Sequence, residues 1–173
     1  LIIEDTCESL GARYNNKYLG SFGEFGTFSF YYSHQITCGE GGMIVCKNKE
    51  DYNILKTLRS HGWSRNTTFE KRFKKKYQKV DNRFMFVNSG DNLRPTDIQA
   101  AIGLSQFKRL EVFKKIRKEN RIKIIKNLKS HTKWKNQFKF VQINKNIHPS
   151  WFGLAILLNP DYKTKKKRYL NYL

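Results

Sequence analysis

The chain has 173 residues, 39% hydrophobic and 14% aromatic, enough to bury the core of one domain or of one and part of a second. No run of about 18 apolar residues occurs, which excludes a transmembrane helix, and the acids in LIIEDTCESLG exclude a secretory leader. The net charge of +20 is the footprint of a nucleic-acid binder. The lysines are spread over Lys71–Lys79, Lys108–Lys139 and Lys163–Lys167 with no nucleic-acid motif among them, so a lysine-rich surface bias explains them as well. Cys7, Cys38 and Cys46 lack zinc spacing and fit a reducing, cytoplasmic setting as small buried apolar side chains.

Leu1–Ile3 is apolar and β-prone and ends in Glu4-Asp5. It reads as a buried strand already under way, which suggests a piece of a longer protein. An apolar run followed at once by an acid marks the carboxyl edge of an α/β sheet, where ligands bind. Asp5 is therefore either a site residue or a surface acid. Thr6–Ala12 reads as a turn and Arg13–Leu19 as a small hairpin. Gly26–Tyr32 alternates and is rich in aromatics, as in a strand. Ser33–Gly41 is the loop after it, and Gly42–Cys46 is the returning strand.

Asn48–His61 is amphipathic, with Tyr52, Leu55 and Leu58 at helical spacing and Gly62 as its cap. Ser64–Asp81 reads as a basic, polar, mobile loop. Phe84–Val87 is a short apolar run. Thr96 with Gln99, after Pro95, is a capping box that starts a helix. Ile98, Ala101, Ile102, Phe107 and Leu110 can supply its buried face, and the helical pattern continues, with a kink, to about Leu128. Lys133–Asn146 reads as a linker and a strand, and Trp151–Leu158 as a buried strand. This order predicts a larger α/β domain passing through helices into a smaller α+β domain.

Taken singly, no motif decides a function. Ser29 reads as a core hydroxyl, GEGG as a plain turn and His34 as a loop histidine. Their order carries more information. EDTCESLGARY, GSFGEFGTFSFYYSHQITCGEGGMIV, LRSHGWSR and GDNLRPTDIQAAIGLSQFKRL together resemble the DegT/DnrJ/StrS group of sugar aminotransferases and their dehydratase relatives. The resemblance covers residues 1 to about 128 and implies a fold type I pyridoxal-phosphate enzyme acting on nucleotide-linked sugars. It implies that residues 1–128 form the C-terminal part of a cofactor-binding large domain, with a mixed, mostly parallel sheet and its connecting helices. Residues 129–173 would begin a small α+β domain.

The resemblance also implies site roles. Asp5 would pair with the cofactor's pyridine nitrogen and keep it protonated. Glu8 stands where most of the group has glutamine, near the ring hydroxyl. Ser29 would hold the cofactor phosphate. Asn92 would reach that phosphate from a neighbouring subunit, with Arg94 adding positive charge, so the site would lie at a homodimer interface. The group's Gly/Thr phosphate turn and stacking aromatic do not lie in these residues, so these residues alone are expected to bind cofactor poorly.

The largest departure is His34, where the aminotransferases carry the lysine that forms a Schiff base. An imidazole has no primary amine and cannot form that imine, but it moves protons near neutral pH. This resembles the 3-dehydratases, which use pyridoxamine phosphate to remove the C3 hydroxyl of a nucleotide-linked 4-keto-6-deoxy sugar in 3,6-dideoxyhexose synthesis. One dehydratase type holds an iron–sulfur cluster on cysteines. Between Gly62 and Asn92 there is none, and a cluster needs thiolates. The expectation is thus a B6-only enzyme with no metal and with glutamate restoring the amine. The alternatives are a sugar aminotransferase, an inactive relative, or a basic nucleic-acid-binding module using Trp63, Phe73 and Tyr77.

Overall fold

The computed structural model describes residues 1–171. Its organising sheet has three strands, β1 (Ile3–Asp5), β4 (Phe25–Ser29) and β5 (Gly42–Cys46), in the order β1-β4-β5. β1 runs parallel to β4, with Asp5 opposite Thr27, and β5 returns antiparallel to β4. The sheet is therefore mixed, as expected. β1 is an outer strand of these three, and Leu1–Ile3 is exposed rather than buried, Leu1 at 91%. β4 stops at Ser29, short of Tyr32. There Phe30 closes the next loop: its N–H donates to the Gly41 carbonyl and its carbonyl accepts from the Cys38 N–H.

Between the two parallel strands lies the expected hairpin, β2 (Arg13–Tyr14) and β3 (Lys17–Tyr18). Its two-residue turn, Asn15-Asn16, has both φ angles positive, a conformation asparagine tolerates well. The Gly20–Gly23 turn wraps the Glu4 carboxylate, which accepts N–H groups from Gly20 (2.7 Å), Phe22 (2.5 Å) and Gly23 (2.6 Å). Burial opposes ionisation of Glu4. The three N–H groups and Lys17 outweigh it and hold the carboxyl below its ordinary value.

Helix α1 (Lys49–Leu58) starts at Asn48, whose side chain accepts the Asp51 N–H. Its buried residues are Asn53 and Thr57, whereas Tyr52 is exposed. The expected Tyr52/Leu55/Leu58 face is thus displaced by a polar one. Asn53 accepts from the Thr68 N–H, and the Thr57 hydroxyl accepts from Asn88 Nδ2. Ser64–Asp81 is not a plain loop, because helix α2 (Thr68–Lys76) forms within it. The Glu70 carboxylate accepts the Asn66 N–H, and the Phe73 and Tyr77 rings stack at its end.

The third and fourth motifs pair with one another. Trp63 bridges Phe86, Ser60 bridges Asn92, and the Ser64 N–H and hydroxyl both donate to the Met85 carbonyl. Gly62 has φ +82°, and a Cβ there would overlap the Asn88 carbonyl oxygen. A glycine is required by both backbone angle and space.

The long helical stretch divides into α3 (Asp97–Phe107), with the expected capping box, and α4 (Leu110–Ser130). The expected boundary at residue 128 falls in the last turn of α4. Of the five residues proposed for the buried face, only Leu110 is buried. Beyond α4, β6 (Phe138–Phe140) pairs antiparallel with β8 (Ile156–Leu158), and β7 (Ile147–His148) returns to β2. Trp151–Ala155 is irregular rather than a buried strand, and the chain continues into α5 (Lys166–Leu170). No helix of the described residues is long and apolar enough to cross a membrane. The mixture of helices with a mixed sheet is the large-domain α/β organisation expected.

Candidate functional site

The carboxyl ends of β1 and β4 bring the first candidates together. Residues paired across a ladder share a face, and so do positions two apart along a strand. Asp5, its partner Thr27 and Ser29 therefore lie on one side of the sheet. The Thr27 hydroxyl donates to Asp5 Oδ1 at 3.4 Å, and the Cys7 backbone N–H donates to the same oxygen at 3.1 Å. The Cys7 side chain first, then its N–H, hold the Asp5 carboxyl below its usual range, and Thr27 adds to this. An exposed, ionised carboxylate results, available to a cationic partner. Burial, then the bond to Asp5, pushes the Cys7 thiol up, so at neutral pH it is a neutral donor. Cys7 and Cys46 are only half-buried, and Cys38 alone fits the small buried role expected of all three.

Ser29 ends β4, and its hydroxyl accepts the Tyr31 N–H at 3.2 Å. The chain then turns, with the His34 N–H donating to the Tyr31 carbonyl. The His34 ring meets Tyr31 and Phe152 edge-on, at centroid distances of 5.7 and 5.3 Å. Its Nδ1 is enclosed with no hydrogen-bond partner. A cavity of about 220 Å³ opens beside the ring, lined also by Gln35, Thr37, Gln106, Phe113 and Arg117.

The loop from Phe30 to Gly41 is fastened on three sides. The Phe30 carbonyl accepts the Cys38 N–H (3.0 Å) and the Thr37 hydroxyl (3.2 Å). Gln99 Nε2 donates to the Glu40 carbonyl at 2.9 Å, while its Oε1 completes the capping box of α3. Gln35 Nε2 donates to the Glu8 carbonyl. The Glu8 carboxylate is exposed and borders a groove with Trp151 and Phe152.

Asn92 and Arg94 lie elsewhere. Both are exposed, Arg94 Nε donates to Asn92 Oδ1 at 3.1 Å, and neither hydrogen-bonds to the Asp5–His34 group among the described residues. The chain alone therefore places Asp5 and Ser29 on one face of the sheet and ties the His34–Gln35 loop to the Glu8 backbone, with no bond from either to the pair in the fourth motif among the described residues. Sequence reasoning missed Thr27, Gln35 and Phe152. Strand register, once known, would have found Thr27. No local signal marks the other two. Among the described residues, no group of three His, Cys, Asp or Glu side chains could hold a metal.

The chain is similar to known proteins over almost its whole length. A GDP-4-keto-6-deoxy-D-mannose 3-dehydratase of Escherichia coli O55:H7 is 35% identical over 176 aligned residues, covering 100% of this chain and 44% of that protein. The solved E. coli GDP-4-keto-6-deoxy-D-mannose-3-dehydratase with bound hydrated PLP superposes with a TM-score of 0.81 at 35% identity, over 98% of this chain and 42% of that one. A second structure of GDP-4-keto-6-deoxymannose-3-dehydratase, with a trapped PLP-glutamate geminal diamine, gives 0.77 at 34% identity, over 96% and 43%. The chain spans less than half the length of these relatives. All of residues 1–173 match the signature of one family, so the ordered motifs and the fold lead to a single assignment: the chain belongs to the DegT/DnrJ/EryC1/StrS aminotransferase family.

Proposed function

We propose that this chain carries part of the active site of a B6-dependent dehydratase that removes the C3 hydroxyl of a nucleotide-linked 4-keto-6-deoxy sugar. The observation that carries the reading is His34, five residues after Ser29 at the end of the cofactor-side strand. The relatives named as GDP-4-keto-6-deoxymannose dehydratases support this class over amino transfer.

The residues fit the cofactor. Asp5 offers an ionised carboxylate at a strand end, and Ser29 offers a hydroxyl on the same face. Bound as pyridoxamine phosphate, the cofactor would supply an amine for the 4-keto carbon and a ring that accepts electrons. Asp5 would hold the pyridine nitrogen protonated, and Ser29 would donate to the phosphate. Glu8 would be the residue near the ring hydroxyl. With the cofactor bound, His34 would serve as the proton-moving base, its ring oriented by Tyr31 and Phe152. Lacking a primary amine, His34 cannot hold the cofactor covalently, so these polar contacts must do so.

Glutamate is the proposed amino donor, in keeping with the glutamate-bound relative. A homodimer would bring Asn92 and Arg94 of one subunit to the phosphate held by the other. Residues 1–128 then belong to the large domain and 129–173 to the small one. No iron–sulfur cluster takes part, the three free thiols suit the reducing cytoplasm, and the +20 charge favours an anionic nucleotide sugar without requiring nucleic acid.

Borohydride reduction of the full-length protein saturated with pyridoxal phosphate tests the reading. No cofactor should become fixed to any lysine. A cofactor-modified lysine peptide would restore the aminotransferase assignment.

A further inference from the structure

Gln35 follows His34 directly, and only 3% of its surface is exposed. Its amide nitrogen is used, donating to the Glu8 carbonyl 27 residues earlier. Its amide oxygen is enclosed with no partner. An unmatched buried oxygen costs stability. A methionine would fill similar space without that cost. Packing alone therefore does not account for glutamine, and the bond to Glu8 does.

The other fastenings of the loop act elsewhere. The Phe30 carbonyl closes its base, and Gln99 holds its far shoulder through the Glu40 carbonyl. Among the described residues, Gln35 makes the only hydrogen bond between Tyr31–Cys38 and the Asp5–Leu10 turn. One of those segments carries the proposed base, and the other carries the carboxylate proposed for the opposite end of the ring.

We propose that Gln35 is a positioning residue, its amide pinning the His34 loop to the Asp5–Glu8 turn and so fixing the place of the imidazole relative to that turn. The pin is read from the hydrogen bond, and its catalytic consequence rests on the role proposed above for His34. Displacement of a catalytic group by about 1 Å is enough to cost on the order of 100-fold in rate.

Gln35→Met in the full-length protein tests this, because it removes the donor while keeping the site filled. The expected result has two parts. Backbone amides of residues 31–38 exchange hydrogen roughly 10-fold faster, and kcat for dehydration falls about 10- to 100-fold. KM and cofactor Kd stay within about 3-fold, because the binding groups are untouched. Unchanged exchange, with the wild type active, overturns the pin. A parallel loss of kcat, cofactor affinity and Tm overturns the positioning role and leaves a structural one. Faster exchange in a protein whose wild type dehydrates nothing overturns the reading of His34 and the catalytic consequence with it.

Discussion

The strand–loop region from Ile3 to Cys46 and helix α3 solve opposite problems. In the first, the chain meets most of its own polar needs, His34 Nδ1 and Gln35 Oε1 excepted. Glu4 is wrapped by three backbone N–H groups, Asp5 is met by Cys7 and Thr27, and the His34 loop is tied at its base and on both flanks. In α3 the usual helix is inverted. Gln99, Gly103 and Gln106 turn inward with Leu110, while Ile98, Leu104 and Phe107 are 75%, 67% and 60% exposed. Exposed apolar groups this close together mark a surface made for another surface. The difference teaches that the strand–loop region is held by its own contacts, whereas α3 leaves an apolar face uncovered in a chain that spans less than half of its relatives. In the homodimer proposed above, a second subunit would cover that face, and its own Asn92 and Arg94 would then face the first subunit's Ser29.

The largest effect on this contrast should come from α3. Ile98→Asp with Ile102→Asp places two carboxylates one turn apart on the open face. Burying unpaired charge there should weaken dimerisation by about 100-fold or more, with the circular dichroism spectrum unchanged. Light scattering would read a monomer. A dimer of undiminished affinity would remove α3 from the interface.

Glu4→Gln sharpens the other side and should do less. Glu4 is held below its ordinary value of 4.5. Its contribution is full above the unfolded value and is lost as pH falls through the lower folded value. At pH 7 the substitution should cost about 1 kcal/mol after allowance for solvent screening, or roughly 2–4 °C in Tm. The gap between variant and wild type should begin to close below about pH 4.5 and vanish only below the lower folded value. A gap that persists at lower pH would mean that carboxylate charge is not what holds the Gly20–Gly23 turn.

This contrast also explains what the residues alone made legible. A strand, a serine, a loop with a histidine and a glycine turn are local features, and Gly42–Cys46 and the Thr96–Gln99 capping box were readable to the residue. The hairpin followed from two asparagines. The failures came from assuming that apolar faces turn inward. That assumption misassigned Tyr52 and Leu58 in α1 and most of α3, where polar side chains face inward to satisfy loops distant in sequence. Helix α2 was hidden in a lysine run whose polarity hid its Glu70 tether to Asn66. Gln35 could not be found because its partner is 27 residues away and no pattern links the two.

The central claim is that His34, standing where a lysine would make an aminotransferase, makes a dehydratase. The direct measurement is mass analysis of the nucleotide sugar after full-length protein, pyridoxal phosphate and glutamate are mixed with a GDP-linked 4-keto-6-deoxy hexose. The product should be a keto sugar with one oxygen atom fewer, and His34→Asn should form none while still binding cofactor. A product in which the 4-keto group has become an amine, or undiminished turnover in His34→Asn, would contradict the account.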